Sequence, residues 1–298
     1  NPANSEEFTI GYYLSKDLGM FDLDLGFRLD QIERSGSVSE EEHGDDHGDD
    51  HGDEHGDEHG DIDYYNIDDT TSSFAIALGR DLSDNLGVSL GYASVERLPS
   101  SIELFMNGPH MATGRFEVGD PNLNSETSNN FDITFNFDNG DFYAVASFYI
   151  TDVDNYIALI DEEDDHMDED EHHEDEDEHH EDEDDDHGHG NLIHANYMQE
   201  DAEFDGYEIE FGKSFDLGSG ELALSFGRDV VNAEFSDGHN VPRINPARNI
   251  YSLVYTQDDL LFKLMLKDVE KQNDFGEGET ATDSVSYTHL RAHETELH

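Results

Sequence analysis

Apolar residues recur at every second position over most of this 298-residue chain, and a period of two is the signature of strands buried on one face. Phe21, Leu23, Leu25, Phe27 and Leu29 alternate with Asp22, Asp24, Gly26 and Arg28. Phe131, Ile133, Phe135 and Phe137 repeat the pattern, as do Phe142, Ala144, Ala146, Phe148 and Ile150. Tyr207, Ile209 and Phe211 continue it, followed by Phe262, Leu264 and Leu266. About ten such segments, each of roughly ten residues, can be counted. Helical periodicity is essentially missing, so the fold class is all-β.

The connections choose among β architectures. They alternate short and long: residues 16–19, then 40–63; 83–85, then 98–126; 138–140, then 161–189; 216–220, then 236–247; and finally 257–259. Tight turns at one end and long loops at the other predict a transmembrane antiparallel β-barrel, of which this chain supplies about ten strands. A soluble sandwich has loops of similar length at both ends. Tyr12, Tyr13, Tyr92, Tyr149, Tyr156 and Tyr255 fall toward strand ends, where an interfacial girdle places them. No apolar run reaches the roughly 18 residues of a membrane-spanning helix.

Two of the long connections are built from aspartate, glutamate, histidine and glycine. Residues 40–63 read HGDD-HGDD-HGDE-HGDE-HGD from His43, through His47, His51, His55 and His59. Residues 161–189 carry His166, the pairs His172–His173 and His179–His180, then His187 and His189. Together the tracts hold 12 of the 18 histidines and 33 of the 75 acidic residues. No core can be built from such residues, so both are expected to be solvated loops. Acid runs ordinarily act as self-repelling solvent faces, and repetitive coding sequence generates regular spacing without selection. Histidine inserted at intervals adds something a solubilising tract does not need. Imidazole and carboxylate are ligands for borderline divalent metals, and neutral imidazole is available near pH 7. The expectation is loose, multivalent capture of cations.

Composition removes several functions. A net charge of -61 excludes nucleic acid as a partner, since phosphate binding needs a basic surface. Outside the tracts 42 acids still face 14 bases. With no cysteine there is no disulfide, thiolate site or cysteine nucleophile, and with only 6 methionines a dedicated copper(I) site is disfavoured. No nucleophile elbow, phosphate loop, zinc-protease spacing or EF-hand occurs, so neither an enzyme nor a catalytic cofactor is expected.

Residues 96–159 carry a more specific signal. They read ERLPSSIELFMNGPHMATGRFEVGDPNLNSETSNNFDITF, then FYAVASFYITDVDNYIAL. Arg97-x-Pro99, Glu103-Leu104-Phe105, Gly119-x-Pro121-x-Leu123, Ser128-Asn129-Asn130 and Asp154-Asn155-Tyr156-Ile157 together resemble the barrel of TonB-dependent outer-membrane receptors. Asp205-Gly206-Tyr207-Glu208, Val241-Pro242-Arg243-Ile244, Pro246 and Arg248 resemble later strands of the same barrels. The Gly108-Pro109-His110-Met111-Ala112-Thr113 loop, taken with the tracts, is similar to the zinc-receptor branch. The resemblance implies a bacterial outer-membrane location, contact with lipid, and import driven by a TonB-type inner-membrane complex through an N-terminal plug. This chain lacks that plug and the energy-coupling box, and is read as a C-terminal barrel fragment. The implied cargo is zinc, with nickel, cobalt or a metal chelate as alternatives.

The barrel is assigned to residues 1–284. Residues 285–295 read VSYTHLRAHET, which resembles a sequencing adapter translated in frame, so 285–298 are taken as non-native and His289 and His293 are not counted as a metal pair. Outside the tracts, His110 is the first candidate for an ordered ligand, with Glu103 and Glu117 near it in sequence. His194, just past the second tract, and His239, in another long loop, are the next. A soluble His-rich metal buffer on a β-sandwich and an adhesin-like surface barrel remain as other readings.

Overall fold

A computed structural model describes residues 3–39, 62–162 and 192–294, and these form one antiparallel sheet with a small folded-in extension. The tract histidines 43, 47, 51, 55, 59, 166, 172, 173, 179, 180, 187 and 189 lie outside the described residues. In chain order come β1 (Asn4–Asp17), β2 (Asp22–Ser39), β3 (Ile62–Ser83) and β4 (Leu86–Arg97). The helix α1 (Ser101–Phe105) and the short strands β5 (Asn107–His110) and β6 (Arg115–Val118) follow. Next are β7 (Glu126–Asp138), β8 (Phe142–Asp161), β9 (Ile193–Asp216) and β10 (Glu221–Phe235). The chain ends in β11 (Arg248–Gln257), β12 (Leu260–Val269) and β13 (Val285–Glu294). Each long strand pairs with its sequence neighbour, and β4 pairs with β7 across the inserted elements.

The tight turns repeat one piece of local chemistry. In Asp17-Leu18-Gly19, Asp138-Asn139-Gly140 and Asp216-Leu217-Gly218, the aspartate carboxylate accepts the glycine N–H at 2.5–2.7 Å. The glycine φ values of 84°, 94° and 78° lie in the left-handed region that a side chain disfavours. An Asp-x-Gly triplet therefore reverses the chain in the fewest residues and fixes the register of the strands it joins.

The register puts the alternating residues on one continuous face. Leu78, Leu90, Ile133, Phe148 and Tyr207 stand side by side on successive strands. Phe211, Phe226, Tyr251 and Leu266 do the same further on. This face is bare: Phe8, Phe131 and Ile150 are 69%, 52% and 52% exposed. The core lies instead on the opposite, polar face, where two long connections fold over the sheet. Residues 98–125 bring in Leu98, Leu104 and Phe105, all buried. Residues 236–247 bring Val241 against Ala202 and Ala233, with Tyr156, Phe204, Phe235 and Ile244 around them. Each large apolar side chain buried this way stabilises the fold by about 1.5–3 kcal/mol.

Three expectations change here. The strands reach 18, 22, 20 and 24 residues in β2, β3, β8 and β9, where about ten were expected. Alternation marks only the apolar belt, and the hairpins leading to the two tracts continue past it with polar residues on both faces. The six tyrosines do not form one girdle. Tyr12, Tyr92 and Tyr255 lie on the apolar face, but the intervening parity turns Tyr13 to Asp24 and Tyr149 over Gly206, and Tyr156 joins the core. The second tract is not wholly solvated either: Asp161 ends β8 and is buried. Residues 285–294 pair with β12 as the edge strand β13. That ladder is made by backbone groups, which any extended sequence supplies.

Candidate functional site

Residues 98–126 are not a plain loop, and their fold positions His110. Ser100 caps α1 by accepting the Glu103 N–H, while Glu103 accepts the Ser100 N–H in return. Arg97 donates to both oxygens of Glu103 at 2.9 and 3.2 Å and to both oxygens of Glu126 at 3.3 and 3.0 Å. Glu103 is thus a strut of the loop and not a partner of His110. The Phe105 ring covers Gly36 of β2, where a Cβ would stand 2.4 Å from it, and stacks on Tyr65 of β3 at 6.2 Å. The loop is thereby seated at the foot of the first tract.

Its other end reaches the foot of the second. β5 and β6 form a hairpin, and β6 runs parallel to β9, with Arg115 to Val118 opposite Ile193 to Asn196. β10 stops at Phe235, opposite Ala202, so β6 takes the β9 edge left open beyond it. Arg115 holds Asp161 with two hydrogen bonds of 2.7 Å, and Arg243 adds a third at 3.1 Å while also donating to the Leu159 carbonyl. Asp161 is neutralised by these two guanidiniums and is withdrawn from any cation above it.

His110 closes the β5–β6 turn, its carbonyl accepting the N–H groups of Thr113 and Gly114 at 3.0 and 3.1 Å. Its Nδ1 lies 2.8 Å from Oε1 of Glu117, whose side chain is 3% exposed. The same carboxylate accepts Thr113 Oγ1 at 3.0 Å and the Tyr197 hydroxyl at 3.4 Å. Burial and the Glu117 charge push the Tyr197 phenol up to about 12, so it remains a donor. An ionised carboxylate only accepts, so Nδ1 of His110 carries a proton, and in the neutral ring Nε2 is then the atom with the lone pair. The His110 side chain is half exposed. A carboxylate behind an imidazole in this way is the support that metal-binding histidines use.

The other candidates stand apart. His194 stacks on Phe116 at 5.1 Å, on the face of the β6–β9 pair opposite to Glu117, so it does not meet His110. His239 lies in residues 236–247, with Nδ1 2.6 Å from Asp237 and its N–H donating to the same residue at 2.9 Å. The Asp237 carboxylate, then Glu277 and Glu200, raise its pKa, and His239 in turn lowers that of Asp237. It borders a cleft of about 460 Å³ that Glu200, Glu277, Glu162 and Met198 also line. Among the described residues no three of the His, Asp and Glu side chains converge into a metal cage. The capping box Ser100-x-x-Glu103 was readable in the sequence; the parallel docking of β6 on β9 had no sequence signal.

The family model described as TonB dependent receptor-like, beta-barrel matches residues 3–291 of this chain. Among solved structures the chain is similar to the copper transporter OprC, at 17% identity and a TM-score of 0.70, covering 99% of this chain and 40% of that one. It is similar to the ferric-catecholate import receptor Fiu of E. coli K12, at 12% identity and a TM-score of 0.62, covering 99% and 39%. The ferric yersiniabactin uptake receptor FyuA of Yersinia pestis gives 13% identity and a TM-score of 0.61, covering 97% and 38%. The chain therefore spans about two-fifths of the length of these proteins.

Proposed function

Because this chain belongs to the TonB-dependent receptor-like β-barrel family, we propose that it serves the import of zinc or a similar divalent cation through the outer membrane. As a bacterial outer-membrane barrel it turns its apolar face to lipid and its polar face to the lumen, which removes the soluble-buffer reading. Energy comes from a TonB-type inner-membrane complex. The two acid–histidine tracts collect cations at the cell surface by raising their local concentration above the mouth. His110 then receives one as an ordered ligand.

The observation that carries this reading is the buried Glu117 behind Nδ1 of His110. It engages Nδ1 and leaves Nε2 of a half-exposed ring for a ligand at the foot of the second tract. The same contact also ties the β5–β6 hairpin together, so the test separates a ligand from a strut. His110 alone does not select a metal, since zinc takes about four ligands, and His239 offers a second imidazole beside a carboxylate, there an exposed one. Nickel, cobalt, copper(II) or a chelate are the competing cargoes, because imidazole separates these ions poorly.

The test is uptake of radioactive zinc by a zinc-limited host without its own receptor, carrying the complete gene with and without residues 40–61 and 163–191. Energy-dependent uptake that weakens at low zinc without the tracts supports the proposal. Entry of another metal or a chelate, with no entry of zinc, changes the cargo. No entry of any metal overturns it.

A further inference from the structure

The lipid-facing wall carries its unpaired cations at one end. Of the 14 lysines and arginines in the chain, three extend the apolar face on the short-turn side. Lys16 follows Tyr12 and Leu14 on β1, Arg80 follows Ile76 and Leu78 on β3, and Lys213 follows Ile209 and Phe211 on β9. Register confirms the face: Lys16 is opposite Leu23, Arg80 opposite Val88, and Lys213 opposite Leu224. All three are exposed and make no ion pair among the described residues. Each lies within about 10 Å of its turn at the strand rise of 3.3 Å per residue.

Two of them rest on aromatic rings. The Arg80 guanidinium stands 5.3 Å from the centroid of Phe21, and the Lys213 ammonium 5.2 Å from that of Phe215. A cation over a ring is held at a fixed height while its stem lies along apolar surface. At the other end of the same face the sign reverses. Asp152, Glu203 and Glu234 are neighbours on β8, β9 and β10, with Asp205 beside them. Between the two ends on the same face Arg228, opposite Ile209, is already paired with Glu270.

We propose that Arg80 over Phe21 and Lys213 over Phe215, with Lys16, form a band of seats for the phosphates of anionic glycerophospholipid in the leaflet on the short-turn side. The occupant follows from position and charge. The seats lie at headgroup height just below the apolar belt, where the phosphate of a lipid is the anion held in place beside them. A cation beside an anionic leaflet favours it by about fivefold over a zwitterionic one. The band also orients the barrel, since the acidic end of the wall is unsuited to bare phosphates.

Native mass spectrometry of the full-length receptor, released from mixed phosphatidylglycerol and phosphatidylcholine, tests this. Arg80→Gln and Lys213→Gln are each expected to lower retained phosphatidylglycerol about fivefold and leave phosphatidylcholine unchanged, with Lys213→Arg restoring it. Heat-modifiable gel mobility checks that each variant is folded. Equal phosphatidylglycerol retention by the parent and the double variant overturns the proposal.

Discussion

Glu117 lies 2.8 Å from Nδ1 of His110 and is almost wholly buried, while the imidazole it holds is half exposed. The burial difference is informative: the carboxylate is committed to orienting and the ring is left to meet solvent. Support of this kind typically changes metal affinity by 10–100-fold.

Glu117→Gln is therefore expected to lower zinc affinity at the ordered site about tenfold or more, while the tracts continue to collect. Calorimetry on the receptor lacking both tracts isolates the effect. Unchanged affinity removes His110 from the ligand set.

Gly36→Ala places a methyl group against the Phe105 ring, 2.4 Å from its nearest atom. Overpacking of this kind costs about 1–3 kcal/mol. Thermal unfolding in detergent is expected to fall, with earlier proteolysis within residues 98–126. Phe105→Leu in the same chain is expected to return part of the loss, and strict additivity of the two changes argues against the contact.

The pH response of His239 has a defined sign. Its pKa is raised from 6.5 by Asp237, so the pair's stabilisation is complete below that ordinary value and is lost as pH rises through the raised one. Asp237, lowered from 3.8, gives the opposite edge, losing its contribution as pH falls through the lowered value. An NMR titration is expected to place the His239 midpoint above 6.5, and Asp237→Asn to return it toward 6.5. Because a metal needs the deprotonated ring, binding at His239 is expected to weaken at a higher pH than at an unperturbed histidine.

Residues 285–298 are proposed to be read-through, and the gene read past the codon for Ser284 is expected to continue with another alternating strand. Recovery of VSYTHLRAHET from an independent clone makes these residues native.

The belt was legible because lipid-facing residues must alternate, and Leu78, Leu90 and Ile133 have no freedom to do otherwise. The turns were legible because Asp-x-Gly closes them locally. The motif residues were visible but their work was not: Arg97 reaches Glu103 across 6 residues and Glu126 across 29, and Asn155 reaches the Ser125 carbonyl across 30, and spacing along a chain does not encode that. Asn155, at φ 55°, occupies the bulge that re-aims β8 above the belt. His110 could be singled out from its loop, but its link to Glu117 depends on the β5–β6 register. Its separation from His194 depends on a parallel pairing that no pattern announces.

The clamp of Arg115 and Arg243 on Asp161 fixes the neck from which the second tract leaves the wall, opposite Ala195 on its return. With the neck held closed, the wall does not register how many residues lie beyond it. Doubling such an excursion costs only about 0.6 kcal/mol in closure entropy. On the proposed reading, the number of cation-collecting residues beyond that neck is therefore free to differ while the wall that carries it stays the same.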